Sequence, residues 1–149
     1  MDFSFSEEQE LLRANVRKLM DRHAPPDYVA RCDRDKTYPY ELYDAWVEAG
    51  LFRLPFAEEH GGLGGSVIDL AIVAEEIAYT SADFYMAFAG GVFCALNIVR
   101  KGSPEQIVRW IPRLLAGETR MAISISEPDA GSDVGAMRTS AVRKDAGWT

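Results

Sequence analysis

Residues 67 to 100 hold two consecutive stretches that are apolar almost all the way round a helix. No other feature constrains the fold as strongly. The first, 67–80, carries Val67, Ile68, Leu70, Ala71, Ile72, Val73, Ala74, Ile77 and Ala78. The second, 83–100, carries Phe84, Met86, Phe88, Val92, Phe93, Leu96, Ile98 and Val99. A helix with no polar face belongs in the core of a helical bundle. The small residues Ala87, Ala89, Gly90 and Gly91 open the second helix to close approach by another helix or a ligand. Gly90-Gly91 also weakens that helix, which asks for a packing or binding reason. Glu75 and Glu76 interrupt the first. Successive helical positions point about 100° apart, so these carboxylates do not converge on one substrate atom. One or both are expected on the solvated side.

The flanking segments read as further helices. Ser6 opens the first, with Gln9 in the capping-box position and Glu7 and Glu8 at the positive end of the helix dipole. Leu12, Val16 and Leu19 then recur at helical spacing, and Pro25-Pro26 ends the helix. Residues 24–38 are polar and Pro-containing and read as a connector. Pro39 suits the first turn of a second helix with an apolar stripe of Leu42, Trp46 and Ala49, ended by Gly50. The run Leu51 to Phe56 leads into Glu58-Glu59-His60-Gly61-Gly62-Leu63-Gly64-Gly65. This is not a P-loop, because no Gly-Lys-Ser/Thr follows. Nor is it a dinucleotide fingerprint, because the third Gly is missing. The glycines are expected to make a tight turn, with Ser66 and Asp69 capping the next helix. After Gly102, Ser103-Pro104-Glu105-Gln106 starts the last helix. Pro112 is expected to kink or break it, and Gly117 to end it.

The pattern then changes. Residues 122–126 alternate apolar and small polar side chains, so Ile123 and Ile125 share one face and Ser124 and Ser126 the other. This predicts a short strand, turned by Pro128, Asp129 and Gly131. A strand ending in a Ser/Gly turn offers hydroxyls and backbone N–H groups at its tip. A boundary falls near Gly117 to Arg120, with a helical domain over 1–118 and the beginning of a β domain over 119–149. Thr139-Ser140-Ala141-Val142 reads as a second strand, Asp145-Ala146-Gly147 as a turn and Trp148-Thr149 as the start of another strand. One or two strands do not make a sheet with a buried face. The chain is therefore expected to be an N-terminal piece of something longer, or one half of an assembly.

Composition excludes several functions. Sixteen Lys and Arg against 23 Asp and Glu leave a net charge of −7, which would repel a nucleic acid over most of the surface. Cys32 and Cys94 lie in no C-x-x-C pattern and fit buried free thiols in a reducing compartment. His23 and His60 are isolated, so no metal site is expected. Met1-Asp2-Phe3-Ser4-Phe5 lacks the character of a signal or transit peptide, and no apolar run is read as membrane-spanning. The expectation is a cytoplasmic protein without membrane insertion.

Several segments together carry a resemblance. Phe5-Ser6-Glu7-Glu8-Gln9, Pro55-Phe56-Ala57-Glu58-Glu59-His60-Gly61-Gly62-Leu63-Gly64, Ala74-Glu75-Glu76-Ile77-Ala78, Gly102-Ser103-Pro104-Glu105-Gln106 and Ser126-Glu127-Pro128-Asp129-Ala130-Gly131-Ser132-Asp133 stand in register along all 149 residues. This set resembles the N-terminal portion of an acyl-CoA dehydrogenase. The last segment is similar to the family's Thr-Glu-Pro-x-Ala-Gly-Ser-Asp signature. The resemblance implies a mainly α fold: an N-terminal α-helical bundle domain followed by the first strands of a β-barrel domain, here truncated. It implies FAD as cofactor and oxidation of the Cα–Cβ bond of an acyl-CoA to trans-2-enoyl-CoA, as part of fatty acid and lipid metabolism. It also implies an electron-transferring flavoprotein as acceptor and a homo-oligomer, dimer or tetramer.

By the same resemblance, Ile123, Ile125, Ser126, Gly131 and Ser132 match the flavin-contacting strand and turn, and Ser132 also lies near the CoA moiety. Ser126 keeps the hydroxyl of the family's usual Thr and loses one methyl group. Glu127, Asp129 and Asp133 would repel a diphosphate. Binding here must therefore use hydroxyl and N–H donors, with compensating Arg or Lys from elsewhere. The family's general-base Glu lies in a C-terminal region that these residues do not include, and the family's Trp-Ile-Thr segment beside the flavin is expected shortly after Thr149. No catalytic residue is assigned, and these 149 residues alone are expected not to turn over acyl-CoA. Gly90, Gly91, Phe88 and Phe93 are candidates to line the acyl cavity, with plain helix packing at least as well supported. Three other readings stand beside the dehydrogenase: a flavin oxidase or monooxygenase on the same fold, a helical interaction module without flavin, and a non-catalytic subunit whose partner supplies the barrel and bundle.

Overall fold

A computed structural model describes residues 4–145 and 147–149. The reading of Met1-Asp2-Phe3 and the centre of the Asp145-Ala146-Gly147 turn lie outside the described residues. The fold is mainly α, with six helices and one two-stranded ribbon among the described residues.

Helix α1, Glu7–His23, starts as its capping box requires: the Gln9 amide donates to Ser6 Oγ at 3.2 Å and the Ser6 amide to Gln9 Oε1 at 3.1 Å. The expected connector over 24–38 is largely helix α2, Pro26–Asp35. Pro26 does not exclude a helix when it stands at the first position, where its missing N–H has no partner to lose. Tyr28 and Cys32, one turn apart, fasten α2 to the core. Helix α3, Tyr40–Glu48, buries Leu42, Tyr43, Ala45 and Trp46. Ala49 is exposed just past its end and does not belong to the stripe. Gly50, at φ 73°, turns the chain into a 3-10 turn over Leu51–Arg53.

Helices α4, Val67–Thr80, and α5, Ala82–Lys101, form the centre as expected. α1 and α5 pack on α4, and helix α6, Pro104–Leu115, packs on α5. Trp46, Phe52 and Phe88 meet at the middle, with ring centroids 5.7 Å apart in an edge-on contact for Trp46 and Phe88 and 5.0 Å apart at a tilt for Phe52 and Phe88. A smaller cluster of Phe56, Ala95, Ile111 and Leu114 holds α6. Pro112 neither ends nor breaks α6, which runs on to Leu115. The proline lies in the last turn, so only one helical N–H is lost. The buried Ile111 and Leu114 keep that turn in place.

The central pair is not buried on all sides. Val67 is 80% exposed and Ile68 53%, while Met86 and Phe93 of α5 are also exposed. By length and composition α5 is apolar enough to cross a membrane, which corrects the reading that no run reaches that length. In this fold its Phe84, Phe88, Val92 and Ala95 stripe is buried in the bundle.

The Gly-rich loop behaves as a turn. Gly62 donates its N–H to Ala57 O, Leu63 to Arg53 O, Gly64 to Phe56 O and Gly65 to Leu54 O, all at 2.8–3.0 Å. Backbone donors used in this way are not free to cradle a phosphate. Ser66 and Asp69 then cap α4 reciprocally. Ser66→Ala should lower stability by about 1 kcal/mol, the usual effect of losing such a cap, as read by chemical denaturation. An unchanged midpoint would show that Asp69 alone suffices.

The strand expected over 122–126 does not form. A strand is defined by its partner, and no described segment pairs with this one. The ribbon consists of β1, Arg143–Lys144, and β2, Gly147–Trp148, antiparallel with Arg143 opposite Trp148. Reciprocal hydrogen bonds between Val142 and Thr149 extend it by one pair. The strand predicted over 139–142 thus lies mostly after Val142, where a partner exists.

Candidate functional site

The end of α6 aims the chain at the segment that the sequence singled out. Gly117, at φ 75°, turns it, and Glu118 and Thr119 donate back to Arg113 O. Arg120 then lies against Tyr38, Tyr40 and Tyr43, and Met121 packs on the cluster under α6. This explains Gly90-Gly91. A Cβ at Gly90 would lie 3.4 Å from the Met121 carbonyl oxygen, and one at Gly91 3.5 Å from Leu114 and Phe52. The pair makes room for α6 and the segment that follows it.

Beyond Met121 the chain leaves the bundle surface. Ile123 is 53% exposed and Ile125 42%, and Ser126, Gly131 and Ser132 are exposed as well. Residues 127–130 close a turn: Glu127 donates to Ala130 O at 2.9 Å, and Ala130 donates back at 3.2 Å. Ala130 is buried while its neighbours are not.

The acidic side chains of the turn are already engaged. The Glu127 carboxylate accepts from the Arg138 amide at 2.8 Å and the Thr139 amide at 2.9 Å, strapping the turn to the chain eleven and twelve residues on. These backbone donors hold its carboxyl below the usual range. Asp129 pairs with Arg138 at 3.4 Å. Asp133 accepts from the Gly135 amide at 3.1 Å and opens a 3-10 turn over Val134–Ala136. So Arg138 supplies one compensating cation, and it comes from the same loop. Among the described residues nothing takes up the Ser126 or Ser132 hydroxyl, and a Cβ at Gly131 would meet nothing within 4 Å. These three positions can receive a ligand through neutral donors. The residues therefore fit a flavin nucleotide of the kind the sequence suggested. No carboxylate here is free to act as a base.

Sequence reading missed the Glu127 strap, because its backbone partners carry no side-chain signal. It also missed Arg138 and the Arg120 contacts. Tyr38, Tyr40 and Tyr43, two and three residues apart, were the visible sign of an aromatic cage. Glu127→Gln should loosen the loop: the two backbone amides face different carboxylate oxygens, and the NH2 that replaces one of them cannot accept a hydrogen bond. Hydrogen exchange at Arg138 and Thr139 should become several-fold faster. Unchanged exchange would show that the Glu127–Ala130 turn holds the loop unaided.

A second feature is an apolar groove of about 280 Å³ between α4 and α5, lined among others by Leu70, Ala74, Tyr85, Phe88, Ala89 and Phe93. Phe88 and Phe93 line this groove, while Gly90 and Gly91 do not. No group of three potential metal ligands occurs among the described residues. Cys32 and Cys94 are free thiols.

A family model described as acyl-CoA dehydrogenase, N-terminal domain, matches residues 6–118. Among solved structures, the chain is similar to a glutaryl-coenzyme A dehydrogenase bound to glutaryl-CoA, at 34% identity and a TM-score of 0.89, covering 99% of this chain and 38% of the other. It is similar to a glutaryl-CoA dehydrogenase from Mycobacterium smegmatis in complex with FADH2, at 26% identity and a TM-score of 0.88, covering 97% and 37%. It is also similar to a chain from structural work on the electron transferring flavoprotein of Acidaminococcus fermentans and flavin-based electron bifurcation, at 28% identity and a TM-score of 0.88, covering 99% and 39%. The chain spans less than two fifths of the length of each of these relatives.

Proposed function

This chain belongs to the acyl-CoA dehydrogenase family, and we propose that it is the N-terminal part of an FAD-dependent enzyme that oxidises the Cα–Cβ bond of an acyl-CoA thioester to trans-2-enoyl-CoA. The observation that carries this reading is the exposed hydroxyl and backbone donor set at Ser126, Gly131 and Ser132, held by the Glu127 strap directly after a helical domain of that family. Ile123 and Ile125 present an apolar wall, Ser126 and Ser132 hydroxyl donors, and Gly131 an unobstructed backbone. Ser132 stands at the boundary with the CoA moiety. When bound, FAD would supply the two-electron acceptor for the hydride leaving Cβ, while the proton leaving Cα goes to the general base. Neutral donors suit an anionic ligand where Asp129 and Glu127 are already satisfied, because they add no charge that must be desolvated.

The groove between α4 and α5 suits the acyl end, since its lining is apolar and chain-like substrates bury methylene groups. The general base is assigned to the rest of the polypeptide. In this reading 1–118 form the N-terminal helical domain and 119–149 begin a β-barrel domain, and the enzyme is a cytoplasmic homo-oligomer, a dimer or tetramer, that passes electrons to an electron-transferring flavoprotein. The relative bound to FADH2 supports the cofactor, and the relative bound to glutaryl-CoA supports the substrate class.

The deciding experiment is the visible spectrum of the full-length protein, with and without acyl-CoA under anaerobic conditions. A flavin spectrum that bleaches on addition is expected. A colourless protein that FAD cannot reconstitute would overturn the reading. The 149-residue chain alone should show no turnover.

A further inference from the structure

Arg120 stands where the helical bundle hands the chain to the exposed segment 122–126. Its guanidinium carbon lies 4.5 Å from the ring centroid of Tyr43, 5.0 Å from that of Tyr40 and 5.6 Å from that of Tyr38. Two of these rings belong to α3 and one to the loop before it, and the Tyr38 hydroxyl donates to the Ala87 carbonyl of α5 at 3.4 Å. Tyr43 is 1% exposed, and its hydroxyl has no partner among the described residues. The cation also approaches Asp44 at 3.9 Å. A guanidinium suits such a cage because it is weakly hydrated and planar.

The next residue is docked as well, with the Met121 carbonyl against Gly90 and its side chain on the α6 cluster. Among the described residues no ladder hydrogen bond holds 122–126. Its path is therefore set by its two ends, the Arg120–Met121 dock and the Glu127–Ala130 turn. Only two residues separate Arg120 from Ile123.

We infer that Arg120 is a positioning residue for the flavin-binding segment: the tyrosine cage fixes where 121–126 leave the bundle, and so where Ile123, Ile125 and Ser126 stand. Its flavin part rests on the proposed function. The clamp itself rests on the contacts alone.

The test uses the full-length protein as wild type and as Arg120→Leu, Arg120→Lys and Tyr40→Leu. Tyr40 is more than half exposed, so its loss leaves no core cavity. Hydrogen exchange is followed without FAD, and FAD affinity by titration of flavin fluorescence. In Arg120→Leu, exchange at the Glu118 and Thr119 amides, which donate to the Arg113 carbonyl beside the clamp, should rise on the order of tenfold, the factor that aromatic contacts to a cation support, while α4 and α5 stay unchanged. FAD should bind more weakly by a similar factor. Arg120→Lys and Tyr40→Leu should fall between. Exchange equal to wild type, or raised evenly through α3, α4 and α5, would overturn the clamp. A loosened segment with unchanged FAD affinity would overturn its positioning role. A wild type that binds no FAD would end the flavin reading, and the exchange comparison would still decide the clamp.

Discussion

Glu76→Ala should destabilise the protein by about 2–3 kcal/mol and lower Tm by roughly 5–10 °C. Glu76 is 4% exposed in the interface between α1 and α4. Its Oε1 accepts from Arg13 Nε at 3.0 Å and Arg17 Nη2 at 2.7 Å, and its Oε2 accepts from Arg17 Nε at 2.9 Å. Removing it takes away a forked, charge-assisted pair and leaves two cations facing each other. The effect falls below the 3–5 kcal/mol typical of a wholly buried pair because both arginines are partly exposed and can be rehydrated. Glu76→Gln keeps the volume and should cost less. Differential scanning calorimetry decides: a Tm within about 1 °C of wild type would show that solvent screens the cluster completely.

The same cluster sets a pH dependence. Burial pushes the Glu76 carboxyl up, but the hydrogen bonds and charges of Arg17 and Arg13 outweigh it and hold it below the ordinary value of 4.5. A carboxyl whose folded value is depressed stabilises the fold fully above its unfolded value and loses that contribution as pH falls through the folded one. The difference in stability between wild type and Glu76→Ala should therefore be constant near neutrality and shrink below about pH 4.5. A difference that grows on acidification would contradict this assignment.

Gly62→Ala should cost about 3 kcal/mol, at the upper end of overpacking penalties. A Cβ there would stand 1.9 Å from the Phe56 carbonyl oxygen and 2.3 Å from its carbon. Backbone cannot rotate away as a side chain can. Phe56 is itself buried in the cluster under α6, so the strain reaches the element that delivers Arg120. Gly64 is the natural comparison. It has φ 66° and open space, so Gly64→Ala should cost only about 1–2 kcal/mol, through backbone conformation. Denaturant titration of both variants reads the order directly. A Gly64 effect equal to or larger than the Gly62 effect would mean that conformation, not close approach, is what the loop requires of glycine.

Helix signals were legible wherever the message was local. The capping boxes at Ser6, Ser66 and Ser103 need only a hydroxyl and a side-chain acceptor three residues on, and all three formed. Pro25-Pro26 misled because the same residue ends one helix and starts another, and the deciding fact was the burial of Tyr28 and Cys32. The alternation at 122–126 misled for a related reason: period-two patterning marks a segment able to pair, but the partner is set elsewhere. At the candidate site, Ser126, Gly131 and Ser132 were found by chemistry and resemblance. Glu127 read as a repulsive charge, whereas two backbone amides from 138 and 139 make it the strap of the loop.

The amino-acid sequence by itself determined the mainly α character, most helix ends and the place where the chain changes from helix to exposed loop, because caps, turns and apolar spacing act within a few residues. Only the tertiary structure decided that Glu76 is buried between two arginines, that Gly90 admits Met121, and that Arg120 lies among three tyrosines. Those contacts join residues from about 30 to 80 positions apart. Their free energy depends on burial and approach distance, which exist only once the helices have packed.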